Sequence, residues 1–217
     1  MNNTKSAILL ATLLVASISL TGCNILGWMA APYGSDIEIT EVTAQYTKLK
    51  DKSVAVLVAA DDSILFMYPD ARFRVSHMIS QRLSENIDSI TLMKPKDVKE
   101  FQRENPYWHT SAYPDLLDAV GTDAIIIIEL NQYRTHEPGN NHQWRGSVAG
   151  TVTLIDAGAP DPSEAVFHQI VRNQFPEDSK VGALDSNDVA IQQGMNTLFS
   201  RDAAGLFYDH EVKRLKK

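Results

Sequence analysis

Six histidines and a scatter of carboxylates are the groups in this chain able to hold a metal or move a proton, and their spacing decides what they can do. His136 and His142 flank Glu137-Pro138-Gly139-Asn140-Asn141. Two imidazoles and a carboxylate could bridge a metal across that loop, but a further ligand of compatible geometry is missing. A polar hairpin tip accounts for the same letters, so no metal site is expected. His77 falls off the apolar stripe of its helix and reads as solvated, while His109, beside Tyr107 and Trp108, reads as a loop contact rather than a base. Asp61, Asp62 and Asp70 follow the first long strand, where open α/β sheets place ligands; loop solvation and helix capping use the same residues. Gly146-Ser147-Val148-Ala149-Gly150 sets a serine among glycines, but its spacing is not that of a Gly-x-Ser-x-Gly elbow. Small residues inside an alternating strand instead allow a bulge or close packing. There is no His-Glu-x-x-His, Walker loop or dinucleotide fingerprint. The expectation is a protein without catalytic residues or a cofactor, and a hydrolase would lack an assembled constellation.

One thiol has its chemistry written into its surroundings. Cys23, the only cysteine, follows Leu20-Thr21-Gly22 at the end of an apolar run from Ala7 to Leu20, and Lys5 is the one charge before it. A basic start and a short apolar run form a secretory signal, too short and badly flanked for a comfortable membrane span. Leu20-Thr21-Gly22-Cys23 resembles the lipobox of bacterial lipoproteins. The resemblance implies that a lipoprotein signal peptidase recognises Leu20, Thr21 and Gly22 and cuts after Gly22. It also implies that the Cys23 thiol carries a diacylglyceryl group and that the new amino terminus is open to acylation. Each buried methylene contributes about 0.8 kcal/mol and a single chain binds only marginally, so two or three chains make a durable anchor. A plain transmembrane anchor is the alternative. Spending the only thiol on lipid leaves no disulfide, although the compartment would permit one. Asn24 follows the cysteine where an aspartate would signal inner-membrane retention in enteric lipoproteins, which favours the outer membrane, facing the periplasm.

Composition narrows the partners. The chain carries a net charge of −7, and losing a segment whose one charge is Lys5 makes the remainder one unit more acidic. Without a basic stripe, nucleic acid is excluded as an expected partner. The one basic cluster, Lys213-Arg214-Leu215-Lys216-Lys217, reads as a solvated tail, a helix carboxyl end or a contact with anionic head groups. Residues 1–22 are therefore read as signal peptide, 23–50 as the lipidated amino terminus and tether, and 51–217 as one α/β domain with a basic tail. Within 37–50 two readings stay open: Ile37, Ile39 and Val42 suit an edge strand, whereas Tyr46 and Leu49 suit a helical turn.

The elements of the domain are predicted from period and punctuation. Ser53 to Ala59 is a β-branched apolar run, typical of a buried strand. A loop through Asp61-Asp62-Ser63 leads to a helix opening near Pro69-Asp70, with Val75, Ile79, Leu83 and Ile87 on one stripe. Ile90 to Met93 reads as a second strand, Pro95 opens a helix carrying Val98 and Phe101, and Pro114 to Val120 forms another that Gly121 ends. Ala124 to Ile128 shows no polar alternation and must be a central strand covered on both faces. Alternation from Trp144 to Ile155 and from Ala165 to Val171, with turn-rich separators, predicts antiparallel hairpins. A last helix spans about Asn187 to Phe207, capped by Ser186-Asn187-Asp188. The fold class is α/β (α+β): a β-α-β-α-β core continued by antiparallel hairpin strands and a carboxyl-terminal helix.

Val54-Ala55-Val56-Leu57-Val58, a helix ending near Ser84-Glu85-Asn86, and Gly121-Thr122-Asp123-Ala124-Ile125-Ile126 resemble a group of envelope proteins over residues 50 to 210. That group includes the TolB amino-terminal domain and the curli secretion lipoprotein. The resemblance implies a binding or assembly role and transfers no catalytic residues. No long amphipathic insertion of the curli-pore kind is visible, which argues for a closed soluble domain. The loop Asn105 to Pro114 concentrates Tyr107, Trp108 and Tyr113, which suits either a partner contact or a loop folded over the core. The expected function is that of a lipid-anchored, non-catalytic envelope protein acting through protein–protein contact or assembly. Its partners would be the membrane, through lipid on Cys23, other envelope proteins, and a homo-oligomer of itself. The alternative is a periplasmic accessory subunit of a transport or secretion system that binds a small ligand.

Overall fold

The computed structural model describes residues 37–177, 183 and 186–215. The predicted signal peptide and lipobox, with Leu20, Thr21, Gly22 and Cys23, lie outside the described residues. In chain order the elements are β1 (Ile37–Val42), β2 (Ser53–Ala60), α1 (Asp62–Met67), α2 (Ala71–Asn86), β3 (Thr91–Leu92) and α3 (Pro95–Glu104). A 3₁₀ turn (Trp108–Thr110), α4 (Tyr113–Val120), β4 (Ala124–Glu137), β5 (Asn140–Asp156) and β6 (Phe167–Phe175) follow. The chain continues through α5 (Asp188–Ala204) and a second 3₁₀ turn (Gly205–Phe207) to β7 (His210–Leu215).

The chain divides into two compact units. Among the described residues the smaller takes 37–40 and 212–215, and the larger takes those from Glu41 to Glu211. Strands β1 and β7 pair as a two-stranded sheet. In the larger unit a five-stranded sheet has the order β3-β2-β4-β5-β6. β2 is parallel to both β3 and β4, while β4–β5 and β5–β6 are antiparallel.

The central position of β4 follows from Ala124 to Ile128. Ala124, Ile125, Ile126 and Ile128 are completely buried, and Ile127 nearly so. Ile126 and Ile128 face one core with Val75, Ile79 and Leu83 of α2 and Ile191, Met195 and Phe199 of α5. Ile125 and Ile127 face a second core with Val98 of α3, Trp108, and Leu116 and Leu117 of α4. Helices thus cover both faces of the parallel part of the sheet, the α/β arrangement read from the sequence. Among the described residues no helix is long and apolar enough to cross a membrane.

Polar bonds fix the register. Ser53 donates its N–H and its hydroxyl to Asp123 Oδ2 at 2.7 and 2.6 Å, and Asp123 N–H returns a bond to Ser53 Oγ at 2.9 Å. This exchange locks the starts of β2 and β4, which explains an aspartate two residues after the helix-ending Gly121. Ser76 of α2 donates to the carbonyl of Val56 at 2.8 Å, and Gln102 of α3 to that of Val58 at 2.9 Å. Further along β4, Thr135 Oγ1 donates to Asp188 of α5 at 2.7 Å and Tyr133 donates to Asn196 at 3.0 Å. On β5, a Cβ at Gly150 would stand 3.0 Å from both the Glu129 carbonyl and Phe199 Cζ. One at Gly146 would collide with Met195 and Ile191. The two glycines seat α5 against the sheet, the close packing that their place in a strand suggested.

The structure departs from the expectations in four places. Asp61-Asp62-Ser63 is not a loop: Asp61 stands at the amino-terminal boundary of α1 without a side-chain capping bond, and the single buried residue of α1 is Ile64. A six-residue helix with one buried side chain has no period to read, and its acidic first turn is what the helix dipole favours. The β4–β5 hairpin is longer than expected, because polar residues from Glu129 onward continue the strand past the apolar run. The paired part of β3 is only Thr91–Leu92. Finally, Lys213 to Leu215 continue β7 rather than a tail; of the two readings left open for 37–50, the strand holds for Ile37 to Val42, which pairs with β7.

Asp156, the cross-strand partner of Ala124, gathers the same end of the sheet as Ser53 and Asp123. It is buried and ion-paired with Lys52, accepts from Tyr46 at 3.1 Å, and accepts from the Gly158 N–H at 2.9 Å. Burial opposes its charge, but the Lys52 ammonium, the Gly158 N–H and the Tyr46 hydroxyl outweigh that and hold the carboxyl below its ordinary range. Burial and the nearby carboxylate push the Tyr46 phenol up to about 12. With the folded carboxyl value depressed, the stabilisation is complete above the ordinary carboxylate range and is lost as pH falls through the folded value. Asp156→Asn should cost on the order of 2 kcal/mol at neutral pH. In urea titrations its gap from the parent should narrow below about pH 4. Gly150→Val should cost roughly 2 kcal/mol by displacing Phe199 of α5, read as a lower thermal midpoint.

Candidate functional site

β2 and β4 run parallel, so the carboxyl end of β2 opens beside the middle of β4, and a cleft of about 310 Å³ forms there. Asp61 and Asp62 line it where the chain turns from β2 into α1, Glu129 and Asn131 enter from β4, and Arg72 and His109 come from α2 and the first 3₁₀ turn. Thr151 of β5 donates to Asn131 Oδ1 at 3.3 Å and holds that amide in place. The chemistry on offer is hydrogen bonding and charge: three carboxylates, a guanidinium and an imidazole around a polar opening. Among the described residues no three His, Cys, Asp or Glu side chains come together as a metal site. The fold brings Asp61 and Asp62 to this cleft as the strand geometry suggested, but not Asp70. That residue precedes α2 and faces a different groove, with Phe73 and Lys99.

The aromatic loop divides its rings between core and surface. Trp108 is 3% exposed and packs with Val98, Leu116 and Ile125, while Tyr107 is 76% exposed. Tyr113, the first residue of α4, is half-buried against the same core. The turn is held by Trp108 N–H to the Asn105 carbonyl at 3.1 Å and by Thr110 Oγ1 to the Tyr107 carbonyl at 2.8 Å. The loop is folded over the core at Trp108, which is packing, while Tyr107 is the ring presented to solvent.

The remaining candidates are occupied elsewhere. The His136 ring lies 4.1 Å from that of Trp144, centroid to centroid, and Glu137 pairs with Arg145 at 3.0 Å. His142 is exposed. His77 is solvated and stacks on Phe73 with the rings 12° apart. Ser147 is buried within β5, with Arg134 and Gln174 as its cross-strand neighbours, neither of them a general base.

Sequence reasoning missed the exposed apolar residues around α1 and α2. Phe66 is 87% exposed, Met67 64%, Val189 68% and Phe73 40%. Ile64-Leu65-Phe66-Met67 is an unbroken apolar run, so no alternation announced which of its members face water.

No protein-family model matches the sequence, and no curated protein matches it. Among solved structures the chain is similar to the PelC dodecamer from Paraburkholderia phytofirmans, at 13% identity and a TM-score of 0.46, over 79% of this chain and 98% of that one. It is also similar to lipoprotein GNA1162 from Neisseria meningitidis, at 16% identity and a TM-score of 0.44, over 65% and 90% of the two chains. A hypothetical protein from Chlamydia trachomatis is similar at 18% identity and a TM-score of 0.45, over 71% and 96%.

The split within the aromatic loop is directly testable. Trp108→Ala should destabilise the fold by about 3–5 kcal/mol, as removal of a buried aromatic does. Tyr107→Ala should stay within about 0.5 kcal/mol of the parent. Thermal and urea unfolding of the two variants side by side separates these outcomes.

Proposed function

We propose that this is a lipid-anchored cell-envelope protein whose α/β domain acts by contact with other envelope proteins rather than by catalysis. The observation that carries the reading is Leu20-Thr21-Gly22-Cys23 at the end of the apolar run Ala7 to Leu20. A thiol placed there is a lipid acceptor, and two or three acyl chains hold a domain at the membrane durably. Asn24 favours the outer membrane, with the domain in the periplasm. The exposed rings of Tyr107 and Phe66 support contact, since aromatic side chains bury a large area at low entropic cost. A second reading, an accessory subunit that binds a small polar ligand, is favoured by the cleft between Asp61, Asp62 and Glu129.

Cys23→Ser should abolish incorporation of labelled palmitate and leave the chain at its unprocessed mass. A variant that still takes up palmitate overturns the anchor. With the anchor intact, a photo-crosslinker at position 107 should capture a defined envelope protein in living cells. A domain that crosslinks to nothing and whose melting temperature rises with a small molecule supports the second reading.

A further inference from the structure

α1 is a ridge. Ile64 holds it to the domain, while Phe66 and Met67 project at 87% and 64% exposure. Asp62 stands one turn before Phe66 on the same stripe of the helix. A Phe side chain left in water forgoes the free energy that burial would return.

The groove between α2 and α5 has the complementary character. Phe73, Met78 and Val189 give it an apolar lining, and Arg74, His77 and Lys99 stand around it. Lys99 Nζ sits 5.7 Å from the centre of the Phe73 ring. The acid on this groove is Asp70, at 4.0 Å from Arg74. Among the described residues neither Lys99 nor Asp62 has an ion-pair partner. An acidic apolar ridge and a basic apolar groove thus occur on one chain, formed by different residues.

We propose that α1 of one copy of this chain docks in the α2–α5 groove of a second copy, with Phe66 against Phe73 and Val189 and with Asp62 beside Lys99. Burial of the Phe66 ring supplies the affinity, and the opposite charges set the register and exclude the reversed arrangement. Ridge and groove are different patches, so the contact is head to tail and each docked copy presents a further ridge or groove. An anionic membrane fits these features less well, because the groove is concave and the ridge carries an acid. The inference goes beyond the assembly reading above and is independent of the anchor, since it concerns the domain surface alone.

The test is sedimentation of the full chain in a density-matched detergent, over a range of concentrations. The parent should self-associate, less tightly at high salt. Phe66→Ser, Asp62→Lys and Lys99→Glu should each weaken association by at least about tenfold. All three residues lie at the surface, so the variants should stay folded, with melting temperatures within a few degrees of the parent's, Asp62→Lys lowest because it reverses the charge in the first turn of α1. An equimolar mixture of Asp62→Lys and Lys99→Glu should regain the parental mass, because every junction in an alternating assembly again joins opposite charges. A parent that stays monomeric at every concentration overturns the proposal. So does an assembly indifferent to all three substitutions, or a mixture that fails to recover.

Discussion

The larger unit is organised by one demand: Ala124 to Ile128 must be removed from water on both sides at once. Four consecutive isoleucines have no polar face to offer solvent, and each is worth roughly 1.5–3 kcal/mol when buried. A strand with that requirement cannot stand at an edge. It lies between β2 and β5, and both faces recruit helices: α2 and α5 on one side, α3, Trp108 and α4 on the other. The polar bonds serve the same end. Ser53 and Asp123 fix where β4 begins relative to β2, Asp156 ties the end of β5 to Lys52, and glycines on β5 let α5 approach closely.

Much of this architecture is legible in the letters, and the parts that are not have identifiable causes. The Ile125–Ile128 run, the Val75-Ile79-Leu83 stripe and Gly121 announce a central strand, an amphipathic helix and a helix end, because each depends on local period or backbone preference. α1 and the far half of β4 escape that reading. α1 is anchored by a single residue, and beyond Glu129 the hairpin is tied to α5 by side-chain bonds that only the tertiary structure supplies. The site is legible in a similar, partial way. Strand direction was enough to bring Asp61 and Asp62 to a cleft, whereas Trp108 and Tyr107, adjacent in sequence and alike in chemistry, take opposite environments. Sequence shows that an aromatic loop exists; the turn at Trp108–Thr110 decides which ring points inward.

Many of the groups with chemical potential are engaged structurally. Asp123 holds Ser53, Asp156 holds Lys52, Glu137 pairs with Arg145, and His136 lies against Trp144. What remains at the surface is of another kind: the rings of Phe66, Phe73 and Tyr107, and a cleft lined by carboxylates. These are the surfaces that the proposed contact role would use.

β4 is the strand that both cores are built around, and amide hydrogen exchange of the full chain, resolved by peptide, measures this most directly. Ile125 to Ile128 and the β5 residues paired with them, Val152 to Ile155, should exchange only through global unfolding and so be the slowest amides in the chain. If protection is instead greatest in α2 or α5 while β4 exchanges through local opening, the helices organise the fold and the central claim fails.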